Sequence, residues 1–231
     1  MIRSGRAVWS RSTTTASEPS LAIPWDEDDP RDAAVIRQNL GLVLEQIAQQ
    51  APLRHLPTVA MAQDWHRRIY RGVRLPVQYY AGQVRDSDSR FPELYGYEVI
   101  VGRLPGVESR LVPRQLAAFE ASTQRAVGTL DAAIPASSVP ADAAQLRGVL
   151  TLCAYAHGEW VRIHPFANGN GRTARLWANW CAVRYGLPPF VRLQPRPAGD
   201  LYATAAALSM RGEHRAMVAV FAEMLDRHVG S

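Results

Sequence analysis

Along most of the chain, apolar residues recur every three or four positions, the spacing of helices that bury one face. After Pro30, Val35, Ile36, Leu40, Val43, Leu44 and Ile47 draw such a stripe and predict a first helix starting near residue 31. Met61, Trp65, Ile69 and Tyr70 predict a second over 58–70, stopped by Gly72. The period then changes. Tyr97-Glu98-Val99-Ile100-Val101 is β-branched and aromatic, Leu104-Pro105-Gly106 reads as a turn, and Arg110-Leu111-Val112 reads as a return strand. Leu116, Phe119, Val127 and Leu130 predict a third helix over 114–133, followed by a Ser/Pro linker at 135–140. Pro140-Ala141-Asp142 opens a helix carrying Leu146, Val149, Leu150, Cys153, Trp160 and Val161. Leu176, Trp177, Trp180 and Val183 mark another, closed by Gly186 and Pro188, and two more are expected over 198–211 and 214–228, broken at Gly212. The pattern is that of a mainly α protein with one small β-hairpin, without internal repeats or a second domain.

Composition narrows the class. A chain of 231 residues, 47% of them apolar, is long enough to bury a core as a soluble globular protein. No stretch of about 18 apolar residues is present, so no membrane span is expected. All 26 basic residues are arginine; the net charge of +5 is modest, and no zinc-finger spacing, basic run or aromatic platform points to nucleic acid. Cys153 and Cys181 lie in apolar helical patterns and read as buried thiols. Residues 1–24 carry arginine, serine and threonine without periodicity or an apolar signal region and are expected to form a disordered tail, with a bacterial cytoplasmic location.

The densest chemistry lies between the fourth and fifth helical patterns, at His164-Pro165-Phe166-Ala167-Asn168-Gly169-Asn170-Gly171-Arg172-Thr173-Ala174-Arg175. A glycine-rich turn that opens a helix is an anion site, because its first N–H groups have no intrahelical partner and the helix dipole adds positive potential. Arg172 and Arg175, three apart, share a helix face, and their guanidinium forks suit phosphate oxygens. His164 is a titratable base at the edge of that cradle; alone, it reads equally as a helix cap or a donor to a carbonyl.

This run resembles the signature of the Fic family, H-x-F-x-[D/E]-G-N-G-R-x-x-R, departing from it at Asn168. The segment Tyr79-Tyr80-Ala81-Gly82-Gln83-Val84-Arg85 resembles a second family stretch, and the likeness extends over about 55–228 within a single domain of 25–231. It implies a Fic-type helical bundle in which the hairpin at Val99, Ile100 and Val101 is the flap, taking a target segment by strand addition. Read without the family, the hairpin fits an ordinary surface feature as well as a strand-adding edge, and Arg85 fits equally the partner of a carboxylate such as Asp86 or Asp88.

The resemblance further implies transfer of AMP from ATP to a Ser, Thr or Tyr hydroxyl of a target protein. His164 is then the general base and Phe166 a packing residue. Asn168, Gly169, Asn170, Gly171, Arg172 and Arg175 are the nucleotide-binding set. Position 168 is where the family holds Mg²⁺, with Mn²⁺ as substitute; an amide there implies weaker metal binding. Slow transfer, altered nucleotide or metal use, and an idle scaffold that keeps nucleotide or partner binding all remain open. The family's self-inhibiting pattern [S/T]-x-x-x-E-[G/N] is matched in spacing only by Thr14–Glu18 and Ser209–Glu213, each with the wrong following residue. Restraint is therefore expected from a small antitoxin-like partner or from the weakened metal site.

Overall fold

The structure is a computed structural model that describes residues 23, 25, 26, 29–86 and 88–230. The tail expected over 1–24, Ile23 excepted, and the Thr14–Glu18 spacing lie outside these residues. Among the described residues there are seven α-helices: α1 (Ala33–Gln50), α2 (Val59–Ile69), α3 (Val112–Ala133), α4 (Ala143–Ile163), α5 (Asn170–Arg184), α6 (Asp200–Ser209) and α7 (Arg215–Val229). Strands β1 (Ile100–Val101) and β2 (Leu104–Pro105) pair antiparallel, Ile100 opposite Pro105 and Val101 opposite Leu104.

The helix ends follow capping chemistry. Thr58 caps α2, its hydroxyl accepting the N–H of Met61, and Asp142 caps α4, one carboxylate oxygen accepting both Ala144 and Gln145 N–H at 2.8 Å. Buried Ile36, Leu40, Val43 and Ile47 form the inner stripe of α1.

The centre is α5, in which every residue except Gly171 is buried. It packs most extensively on α4, and α1, α2 and the α3–α4 pair enclose it. Trp160, Trp177 and Phe119 meet at ring-centroid distances of 5.4–5.9 Å around it. The polar residues of α5 are buried because each has a partner. Arg184 meets Asp131 at 2.6 Å and the carbonyls of Arg54 and His55; Asn179 bonds both the N–H and the C=O of Val191. Cys153 and Cys181 are buried free thiols, as their apolar setting implies, and burial pushes the Cys153 thiol up.

One expectation is corrected. The return strand is Leu104–Pro105, not Arg110-Leu111-Val112, and the turn is Gly102-Arg103. Gly102 supplies the positive φ (64°) such a tight turn needs. Pro105 is tolerated because a two-residue outer strand needs no second ladder bond. Ser109–Leu111 instead forms a 3₁₀ turn that leads into α3, where Pro113 sits in the first turn.

Replacing Asp142 with alanine strips two first-turn N–H groups of α4 of their acceptor. It is expected to lower unfolding stability by about 1 kcal/mol, read as a lower urea midpoint with unchanged slope.

Candidate active site

His164 ends α4 in the left-handed region, φ 52° and ψ 57°. Turned out of the helix, its ring bonds back: Nδ1 lies 3.1 Å from the carbonyl of Val161. A carbonyl only accepts, so Nδ1 carries the hydrogen and the neutral ring keeps its lone pair on Nε2. Burial pulls the imidazole pKa down to about 4, against the Val161 bond and with help from the Arg85 charge. The ring is therefore neutral at physiological pH.

Arg85 holds this turn from behind. It pairs with neither Asp86 nor Asp88. Its side chain is fully buried and donates to four main-chain carbonyls: His164 at 2.8 Å, Ile163 at 3.1 Å, Tyr97 at 2.6 Å and Val107 at 2.9 Å. Its own N–H bonds Pro165 O at 2.7 Å. Burial lowers its pKa to about 10, and Glu98, 3.9 Å away, opposes this, so it stays charged at neutral pH.

The turn itself is built from inside. Asn170 closes it with two bonds to Phe166, side-chain oxygen to N–H and amide N–H to C=O, each 2.9 Å. Phe166 is buried and stacks on His66 at 3.8 Å, the packing role expected of it. His66 Nδ1 accepts Gly82 N–H at 2.9 Å, so Nε2 bears the hydrogen and donates to Asn168 O at 3.0 Å. Gly169 has φ 76°, and a Cβ there would lie 2.4 Å from Tyr70 Oη and 2.7 Å from His66 Nε2, so only glycine fits. Asn170 and Gly171 then open α5, with main-chain N–H groups that have no helical acceptor.

These parts converge on a cavity of about 740 Å³. His164, Asn168, Asn170, Gly171, Arg172 and Arg175 line it, and so do Ile100, Val101 and Leu104 of the hairpin. Gly169 and Val99 do not: Gly169 is buried against Tyr70, and Val99 is buried beneath the hairpin, where its carbonyl accepts Gly106 N–H. Among the described residues Arg175 bonds Leu193 O alone, through Nε at 3.2 Å, its terminal nitrogens have no partner, and Nη1 lies 3.3 Å from where a Gly171 Cβ would stand. A guanidinium with unspent donors thus overhangs the α5 N-terminus. Arg172 is committed in part, its Nη1 donating to Tyr70 Oη at 2.9 Å.

Sequence reasoning missed the opposite wall. Leu193, Gln194 and Arg196 line it from the α5–α6 connection, and Ala203, Ala206 and Ala207 give α6 a face of small side chains. Alanine at i, i+3 and i+4 was the available signal. His157 also reaches this wall, its Nε2 2.8 Å from Tyr202 Oη.

A metal held at position 168 is a separate matter. Asn168 offers a neutral amide whose oxygen accepts Gly169 N–H at 3.0 Å and whose nitrogen donates to Trp25 O at 2.9 Å. Among the described residues no cluster of three or more His, Cys, Asp or Glu side chains is placed to bind a metal ion. Mg²⁺ favours anionic oxygen, and this donor set does not fit it.

The profile of the Fic/DOC family matches residues 57–182. The chain belongs to the Fic/DOC family. A protein named protein adenylyltransferase Fic from Drosophila persimilis is 38% identical over 74 residues, 32% of this chain and 14% of that protein. Its Drosophila melanogaster counterpart is 36% identical over 74 residues, 32% of this chain and 15% of that protein. This Fic/DOC chain thus matches only about a seventh of the length of these curated relatives. A Fic-domain signalling protein from Bacteroides thetaiotaomicron shares the fold with a TM-score of 0.59 at 20% identity, over 83% of this chain and 68% of that one. BepC of Bartonella tribocorum, solved with bound AMPPNP, gives 0.55 at 13% identity, over 89% and 92%.

Two outcomes are expected. A lysine at position 85 presents three donors from one point and leaves buried carbonyls unpaired, so Arg85→Lys should cost about 2–3 kcal/mol in urea unfolding. Second, burial also lowers His66 and His157 to about 3. An unfolded histidine takes its proton near pH 6.5, whereas these three take theirs near 3–4 only when folded, so the unfolded state binds more protons in between. Stability is then complete above about pH 6.5 and falls with acidification, by up to about 2 kcal/mol per histidine at pH 5. Urea midpoints measured from pH 7.5 to 5 should fall steadily; a flat profile would contradict the burial of these rings.

Proposed function

We propose that this chain binds ATP in the cavity and transfers its AMP to a hydroxyl side chain of a target protein. The observation that carries the reading is the fixed tautomer of His164: Nδ1–H is held by Val161 O, and Nε2, which has no partner among the described residues, belongs to a ring lining the same cavity as the α5 N-terminus and Arg175.

The chemistry follows from that arrangement. The phosphates lie on the N–H groups of Asn170 and Gly171, with Arg175 over the outer ones. A target segment pairs with the exposed edge of β1, at Ile100 and Val101, and main-chain bonds hold it extended with its hydroxyl toward His164. Nε2 takes the hydroxyl proton as the oxygen attacks the α-phosphorus. The α–β bridging bond breaks, pyrophosphate leaves with the electron pair, and Arg175 stabilises its charge. AMP remains on the target as a phosphodiester. The low pKa keeps the ring unprotonated at neutral pH and makes it a weaker base than an ordinary histidine.

A second reading, a scaffold that binds nucleotide without transfer, is favoured by Asn168, whose amide supplies no anionic oxygen. Self-restraint through Ser209–Glu213 has no support, because Glu213 is exposed in the turn after α6. Among the described residues no helix is long and apolar enough to cross a membrane.

Incubation with α-³²P-ATP and a bacterial lysate, in Mg²⁺, Mn²⁺ or EDTA, distinguishes the two. Label on a protein that drops by about 10²–10⁴-fold in His164→Ala supports transfer. ATP binding with no label under any condition supports the scaffold. Arg175→Ala should weaken ATP binding at least tenfold in either case.

A further inference from the structure

Asn168 is bonded on three sides. Its amide oxygen accepts Gly169 N–H, its carbonyl accepts His66 Nε2–H, and its amide nitrogen donates to the main-chain carbonyl of Trp25, 143 positions earlier, at 2.9 Å. The segment that provides this carbonyl is firmly seated. The Trp25 ring meets Tyr70 edge-on at 4.6 Å and lies 6.1 Å from Tyr80 and 6.3 Å from His66. Tyr80 Oη in turn bonds both the N–H and the C=O of Ile23. Tyr70 also holds Arg172. Ile23 and Trp25 therefore form a strap that reaches the phosphate turn by a direct bond at Asn168 and through aromatic residues at Arg172 and at the Asn168 carbonyl.

The direction of the Asn168–Trp25 bond is what matters chemically. A carbonyl needs a donor, and an ionised Asp or Glu has none. A carboxylate at 168 would set its oxygen against the Trp25 carbonyl oxygen, with the penalty of two unpaired acceptors. The amide is therefore the group the strap requires, and the oxygen it leaves is already used within the turn.

We infer that Asn168 is a positioning residue that pins the N-terminal strap to the nucleotide-binding turn, in place of acting as a metal ligand. The strap thus braces one side of the cradle, and grip on the nucleotide depends on whether it is docked. The link to nucleotide rests on the reading of the cavity given above; the pin itself does not.

A double-mutant cycle on the full chain tests the pin. Asn168→Ala, Asn168→Asp, Trp25→Ala, Trp25→Phe and the Trp25→Ala/Asn168→Ala pair are compared by urea unfolding and by calorimetric ATP affinity, with Mg²⁺ and with EDTA. Asn168→Asp should unfold at lower urea than Asn168→Ala. The double variant should be less destabilised than the sum of the two singles, because loss of the Trp25 ring undocks the strap and with it the main-chain carbonyl that Asn168 binds. Trp25→Ala should weaken ATP binding roughly fivefold or more although its side chain does not line the cavity. Trp25→Phe, which keeps the ring, should restore most of that affinity, a rescue that separates positioning from general loosening. Wild-type affinity should be the same in Mg²⁺ and EDTA. Additive singles, or an Asn168→Asp variant of wild-type stability that binds ATP tenfold tighter in Mg²⁺, would overturn the inference. Because the unfolding cycle requires no transfer and no ATP, failure of the adenylyl-transfer reading leaves it readable.

Discussion

The buried guanidinium of Arg85 bonds four main-chain carbonyls, two at the end of α4 and one on each side of the hairpin. The last carbonyls of a helix have no partner within it and carry the negative end of its dipole. A planar cation with five donors meets that need in a way no neutral side chain can. The same ion ties the left-handed turn at His164 to both flanks of the hairpin. The imidazole and the strand edge are thus referenced to one rigid group. Gly106 fits this junction because a Cβ there would lie 2.6 Å from Val99 and 3.2 Å from His164.

That arrangement also sorts charge. The turn from 164 to 169 joins the negative end of α4 to the positive end of α5. Without a cation at the first, the two would oppose each other beside any anion. Arg85 satisfies the α4 carbonyls from behind, which leaves the α5 N-terminus and the unspent donors of Arg175 to face the cavity. An anion placed there would meet donors that are already oriented, which is the condition for electrostatic stabilisation to be effective. The backing of His66, Phe166 and the Asn170 side chain fixes the turn while leaving its front open.

Much of this was legible in the residue order, and the exceptions share a cause. Stripes such as Ile36-Leu40-Val43-Ile47 and the stops at Gly72 and Gly186 report local geometry, so helix positions came within a few residues. The histidine, the glycines and the two arginines are adjacent in the chain, and their joint chemistry can be read there. Arg85 was paired with acids because carboxylates are visible in a sequence, whereas every residue has a carbonyl. The roles of His66 and Tyr70 are not legible there because they lie in what these side chains meet 102 residues away. The return strand lies elsewhere because the apolar pair Leu111-Val112 outweighs, in sequence, a stretch holding a proline that only a very short outer strand accepts.

The bond between Trp25 and Asn168 spans 143 residues, and synthesis runs from the N-terminus at about 5–20 residues per second. The strap therefore leaves the ribosome several seconds before Asn168 exists, although the ring partners of its tryptophan, His66, Tyr70 and Tyr80, follow much sooner. Closing so long a loop is entropically slow to repay, so the seal on the cradle belongs to the final stages of assembly.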